Sequence, residues 1–251
     1  MASTMFASVP YSAFERVLTK LGAKLSARQA HAFYLGAMTS TSFGLGPQQL
    51  FERMFGGAPM MGSLEEANAN LQQLFGYWNS VLQARDAGRV ALAPAALPAR
   101  TTREELADYA RLREDELVWY VRGIDAGGGD PMEFGEEGQR LLKGIAEGSG
   151  FLRVYVDTLQ RTASPTTKEL RDGRATLREL VRTIEGLIAD LMRVSDEVRR
   201  EAMAAFTARA GRPTDDGARV ARPVKVGVNE RCPCGSGKKW KKCCGGPKEV
   251  Q

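Results

Sequence analysis

A single histidine, His31, serves all 251 residues, and no cysteine occurs outside the thirteen residues from Cys232 to Cys244. The first shortage removes most imidazole chemistry. No Ser/His/Asp set, redox C-x-x-C pair or nucleotide fingerprint is legible, which leaves little for an enzyme to work with. Long apolar runs are missing too. The longest, Val90 to Pro98, is short and interrupted by prolines, whereas a bilayer span needs about 20 apolar residues. Met1 to Phe14 has neither a basic n-region nor a continuous apolar stretch, so no secretory leader is expected there. No stretch of β-branched residues alternates with period two, so strands are not expected. These absences, with cysteines that are not spread along the chain, point to a cytoplasmic, all-α protein.

What is present is concentrated near the end. Cys232, Cys234, Cys243 and Cys244 are spaced C-x-C, eight residues, then C-C. Four thiols in one short stretch suit a single metal site, since the chain loops out and returns to close a four-sulfur cage. Pro233 stiffens the first arm, and Gly235 and Gly237 permit the turn. Four thiolates complete a tetrahedral shell on Zn²⁺ and leave no position for water, the pattern of a structural site. Iron also accepts thiolates, so the metal is zinc or iron on this reading. Two disulfides are the competing use of the same residues, but adjacent cysteines and a C-x-C pair give strained rings. A phosphate-binding loop needs glycine where Cys232 stands and Ser or Thr where Lys239 stands, so Gly-Ser-Gly-Lys-Lys is not one.

Trp240 sits among Lys238, Lys239, Lys241 and Lys242, with Arg231 just before the first cysteine. Ammonium groups there offset the net negative charge of a tetrathiolate and lower thiol pKa values. The same residues form an anchor in a cationic patch for an acidic protein face or RNA phosphate. The run Asn229, Cys232-Pro-Cys-Gly-Ser-Gly-Lys-Lys-Trp-Lys-Lys-Cys-Cys-Gly245 resembles the SEC-C motif, the small metal-binding module at the C-terminus of the SecA translocation ATPase and of several other bacterial proteins. Arg231 departs from the proline common in that family, and Cys244 stands where the family has His or Cys. The resemblance implies a metal-stabilised basic knob that docks on partners such as the SecB chaperone or the ribosome. It implies no catalysis.

Charge follows the same division. Residues 209–251 carry eleven Lys/Arg against four Asp/Glu, while residues 1–208 carry 24 basic and 26 acidic side chains. The basicity belongs to the tail, and the body is nearly neutral. With 43% apolar residues the body can bury a core.

That body reads as helices throughout. Phe14, Val17, Leu18 and Leu21 share a face before Gly22. Ser26 caps a second helix, Pro47 opens a third, and Ser63-x-x-Glu66 starts a fourth. Residues 1–86 are thus expected as a helical N-terminal domain. Residues 87–101, rich in Ala and Pro, read as an exposed connector. Thr102-x-x-Glu105 opens the next helix, ended by Gly127-Gly-Gly-Asp-Pro131. Leu141 to Leu159 is helical, with a break expected near Gly148–Gly150. Ser164-Pro165 is expected to start the last and longest helix, to about Arg209. Leu170, Leu177, Ile184, Leu191 and Val198 recur there every seven residues, with Leu180, Leu187 and Val194 between them. This fits a bundle helix packed on residues 135–162 or one strand of a dimeric coiled coil, and we take the bundle. Residues 211–228 read as a flexible basic linker with a reach of about 25 Å.

Residues 26–83 are similar to the helical domain of the YecA/YgfB-like bacterial family, through His31-Ala-Phe-Tyr-Leu-Gly-Ala37, Gly46-Pro47, Leu50 to Phe55 and Leu71 to Leu82. Some members of that family end in a SEC-C motif. His31 has no identifiable carboxylate partner and is taken as a helix-face residue rather than a general base. The acidic pairs Glu65-Glu66, Glu104-Glu105 and Glu136-Glu137 stand at helix starts, where they favour the dipole. The combined expectation is a non-enzymatic, metal-binding adaptor docking on an export chaperone or the ribosome. The alternative is an RNA- or ribosome-binding module acting through its basic tail. No small-molecule substrate is legible in either.

Overall fold

The helix Ala27–Thr39 (α2) is the centre of the body: eleven of its thirteen residues are buried. Such a helix cannot be amphipathic, and its residues are accordingly small or apolar nearly all round, from Ala27 through Phe33 and Leu35 to Met38. The computed structural model describes residues 8–42, 47–57, 62–99 and 101–210, the side chains of residues 47, 48, 50, 51, 209 and 210 excepted. The helices around α2 are Tyr11–Lys20 (α1), Pro47–Phe55 (α3), Leu64–Asp86 (α4), Arg103–Gly127 (α5), Gly135–Arg161 (α6) and Thr167–Ala210 (α7), with a 3₁₀ turn at Pro131–Phe134. No strand occurs among the described residues, and the protein is all-α.

The starts of these helices are set by side-chain caps. Ser26 accepts from the Gln29 amide while Gln29 Oε1 accepts from the Ser26 amide, a complete capping box. Ser63 and Thr102 accept from the Glu66 and Glu105 amides. The Glu66 carboxylate does not return to Ser63. It accepts from the Gly62 amide and pairs with Lys20 of α1 at 2.8 Å. Gly22 ends α1 at φ +66°, a conformation costly for other residues.

Helices α2 and α5 touch along their backbones. A Cβ on Gly36 would lie 1.9 Å from the Tyr120 carbonyl oxygen, and one on Gly123 would lie 2.3 Å from the Phe33 carbonyl oxygen. Glycine at both positions lets the two helices cross this closely, and Tyr120, wholly buried, fills the space beside the crossing.

Three expectations need correction. Helix α6 is unbroken through Gly148 and Gly150. Gly144 and Gly148 face Leu187 and Ile184, where an added Cβ would come within 3.0 and 2.8 Å, so these glycines serve helix packing rather than a break. The last helix begins at Thr167, after a reciprocal Thr166–Glu169 cap, rather than at Ser164-Pro165. The stretch 87–101 is exposed along much of its length but is anchored at its middle. Leu92 and Ala93 are buried, and side chains from other helices hold the backbone there.

Helix α7 packs in the bundle through a seam wider than an a/d stripe. Leu177, Ile184 and Leu191 are buried as the heptad predicts, but so are Val181, Ile188 and Ser195 one position beyond each d residue. A two-stranded coil would leave those positions at its margin. Further along, Arg199 donates to the Met38 and Ser40 carbonyls at 2.8 and 2.6 Å, and Ser195 Oγ donates to Ser40 O at 3.0 Å. A cation thereby closes the C-terminal end of α2, where the helix dipole favours positive charge.

Among the described residues, no helix is long and apolar enough to cross a membrane.

Candidate metal centre and the polar core

The four predicted ligands, Cys232, Cys234, Cys243 and Cys244, lie outside the described residues, as do Arg231, Lys238, Lys239, Trp240, Lys241 and Lys242. Among the described residues no group of three or more His, Cys, Asp or Glu side chains is placed to hold a metal ion. The fit of a metal to this chain is therefore a question of donor chemistry. Four thiols within thirteen residues form a complete set of soft ligands, with no water position left over once all four bind. Four lysines lie between Cys234 and Cys243 and Arg231 precedes Cys232, and cationic side chains so close in sequence lower the cost of keeping the sulfurs as thiolates. The donor set fits Zn²⁺.

Inside the body one set of polar side chains, His31, Arg28, Arg113, Arg174 and Glu185, converges on the segment 87–101. His31, 8% exposed, uses both ring nitrogens: Nε2 lies 2.9 Å from the Ala91 carbonyl oxygen and Nδ1 lies 2.6 Å from the Tyr77 hydroxyl. A carbonyl only accepts, so Nε2 carries the proton and Nδ1 accepts from Tyr77. The ring is neutral. Burial pulls its pKa down to about 4, with the nearby Arg113 and Arg28 charges adding to the depression against the opposing Ala91 hydrogen bond. This is a histidine holding a chain segment in place.

Two further contacts hold the same segment. Arg113 Nη1 donates to Ala93 O at 3.0 Å and pairs with Glu116 Oε2 at 2.6 Å. Arg28 Nη1 pairs with Glu116 Oε1 at 3.1 Å and also reaches Ala93 O, while its Nη2 donates to Pro94 O. Glu116, wholly buried, thus lies between two guanidiniums. Burial lifts its carboxyl above the ordinary range, and the two cations offset only part of that rise. From α7, Glu185 accepts the Leu92 amide at 3.0 Å and Arg174 donates to Pro98 O at 3.0 Å. Side chains from α2, α5 and α7 therefore satisfy the backbone of an extended segment that has no ladder of its own.

Sequence reasoning passed over Arg28, Tyr77, Arg113 and Glu116. The Arg113–Glu116 spacing of three on one helix was a visible signal. The Arg28–Glu116 and His31–Tyr77 pairings join different helices, and no local pattern announces them.

The motif in the tail has a counterpart among known families. The family model described as the SEC-C motif matches residues 229–246, which include all four cysteines. The protein translocase subunit SecA of Thermodesulfovibrio yellowstonii is 36% identical over 104 residues, covering 40% of this chain and 11% of that protein. SecA of Clostridium perfringens strain ATCC 13124 is 31% identical over 153 residues, covering 57% of this chain and 16% of that protein. SecA of Finegoldia magna is 42% identical over 50 residues, 20% of this chain and 6% of that protein. The chain thus spans a small part, 11% and 16% in the first two, of the curated relatives it matches. No solved structure matches it. The YecA/YgfB-like resemblance of residues 26–83 stays an expectation. The all-α body is accordingly followed, at residues 229–246, by a SEC-C motif.

Proposed function

We propose that this chain is a non-enzymatic, metal-binding adaptor in protein export, a cytoplasmic protein that presents its SEC-C motif to an export chaperone such as SecB or to the ribosome. The observation that carries this reading is the SEC-C match over residues 229–246, together with the SecA relatives. Cys232, Cys234, Cys243 and Cys244 would hold the ion, which supplies folding energy to a segment too short to bury a core of its own. With all four positions taken, the ion orients a surface and leaves no open position for substrate. Trp240 and the flanking lysines are the contact residues: an aromatic anchor inside a cationic rim suits an acidic protein face. The non-enzymatic part of this reading is supported by His31, whose two nitrogens are both engaged inside the body.

The experiment is an affinity pull-down with the full chain and its Cys234→Ser and Trp240→Ala variants, scored for export chaperones and ribosomal proteins, beside the metal content of each preparation. The reading predicts that both variants lose the partner and that only Cys234→Ser loses the metal. Capture that is unchanged in both variants contradicts it.

The excess of basic over acidic side chains in residues 209–251 supports a second reading, direct binding of ribosomal RNA by the tail. A salt series separates the two. Phosphate contacts give a slope of log K against log[salt] of about −0.7 to −0.9 per neutralised phosphate, and a protein partner held through Trp240 is less sensitive.

A further inference from the structure

Helix α5 carries an apolar centre that the body leaves uncovered. Val118 and Val121 are 37% and 41% exposed. Beside them a shallow groove of about 300 Å³ runs between α5 and α6, with buried Leu117 and Ile145 at its floor and Ala146 on its α6 side.

Charged residues continue this face in both directions. At about 100° per residue, Arg111, Glu114, Val118, Arg122 and Asp125 fall within about 80° of arc on one side of the helix. Their signs run plus, minus, apolar, plus, minus. The spacing is symmetric as well: Arg111 and Asp125 each stand seven residues from Val118, and Glu114 and Arg122 each stand four. Arg122 and Asp125 are exposed. Arg111 and Glu114 have partners of their own, Asp108 and Arg153, each at 2.7 Å, but both of those side chains are largely exposed and such pairs hold little energy.

A stripe of this kind is its own complement. When α5 lies antiparallel against α5 of a second copy, centred on Val118, Arg111 faces the partner's Asp125 and Glu114 faces the partner's Arg122. One two-fold axis then gives four pairings of opposite charge around an apolar centre. A parallel arrangement sets every charge against its like. Sliding the antiparallel pair by one turn puts Val118 opposite the partner's Arg122 or the partner's Glu114. The charges therefore select one direction and one register. Helix α7, whose heptads also suit self-association, has Leu177, Ile184 and Leu191 buried inside its own bundle.

We propose that two copies of this chain associate through the exposed face of α5, with Val118 at the two-fold axis and Val121 beside it. Burial of the valines drives the association, and the four charge pairings fix its geometry. The seam is short, so the dimer is reversible. The proposal rests on neither the metal nor the export reading. Its consequence is an assembly with two SEC-C motifs, which strengthens binding to any partner that offers two sites.

The test is sedimentation velocity of the full-length protein over a concentration series up to about 100 µM, the range in which an interface of small area is populated. The wild-type chain should shift from monomer to dimer. Val118→Glu sets two like charges together at the axis and should abolish the shift, with the thermal transition of the body unchanged. Asp125→Arg sets arginine against the partner's Arg111 on both sides and should weaken the dimer about tenfold, and Arg111→Glu should do the same. The two substitutions together restore opposite charges and should recover most of the loss. Cys234→Ser should leave the dimer intact. A wild-type chain that stays monomeric overturns the proposal, as does a dimer that Val118→Glu leaves unchanged or that Cys234→Ser abolishes. If Val118→Glu lowers the thermal transition, the charge exchange at the exposed positions 111 and 125 decides: a double variant no stronger than either single one shows that the stripe does not meet itself in this register, and the proposal fails.

Discussion

Gly36 on α2 and Tyr120 on α5 are in near backbone contact: a β-carbon on Gly36 would lie 1.9 Å from the Tyr120 carbonyl oxygen. Backbone cannot yield as a flexible side chain does. Gly36→Ala should therefore force the two helices apart and cost about 3 kcal/mol or more, at or beyond the upper end for overpacked sites. Urea unfolding followed by circular dichroism measures it. The internal control is Gly186 in α7, around which nothing lies within 4 Å. There the same substitution should stabilise the body by about 0.5–1 kcal/mol, through helix propensity alone.

His31 makes the body sensitive to acid, and the sign follows from its shift. Its folded pKa of about 4 is below the ordinary 6.5, so the unfolded chain takes up the proton first as pH falls. The neutral ring's contribution is complete above about pH 6.5 and is lost progressively as pH falls through 4, a total of roughly 3 kcal/mol at 1.4 kcal/mol per unit. Denaturant midpoints measured from pH 7 to pH 4 should show that slope. His31→Gln should be less stable at pH 7 and flatter across the range.

Tyr77→Phe tests the other half of that pair. It strands His31 Nδ1 as a buried acceptor and should cost about 1–3 kcal/mol at neutral pH. Thermal unfolding of the purified variant reads this directly.

Glu116 lies between Arg113 and Arg28. Glu116→Leu removes the shared anion and leaves Arg113, 4% exposed, without compensation, which should cost about 3–5 kcal/mol. Replacing Arg113 as well, as Arg113→Met with Glu116→Leu, should recover part of that loss. A variant pair with additive costs would show that the two side chains are not coupled.

Much of the body was legible because its signals are local. Ser26, Ser63 and Thr102 cap the helices they were expected to cap, and Leu177, Ile184 and Leu191 are buried as their spacing predicts. Misreadings arose where one residue type serves two ends. Gly144 and Gly148 weaken a helix in isolation, yet here their missing side chains admit Leu187 and Ile184. Ala/Pro-rich residues 87–101 read as an exposed connector because what holds them lies far away in sequence, with Arg28 and Pro94 separated by 66 residues. The SEC-C motif was legible for the opposite reason. Its four cysteines fall within thirteen residues, so the pattern can be read without the rest of the chain.

The central claim is that Cys232, Cys234, Cys243 and Cys244 together hold one ion. The direct measurement is elemental analysis of the full-length protein, purified with its thiols reduced, alongside thiol titration before and after denaturation. The account predicts about one zinc per chain, thiols protected until the metal is released, and loss of metal in Cys234→Ser with the body's thermal transition unchanged. Well under one metal per chain with four freely reactive thiols would contradict it.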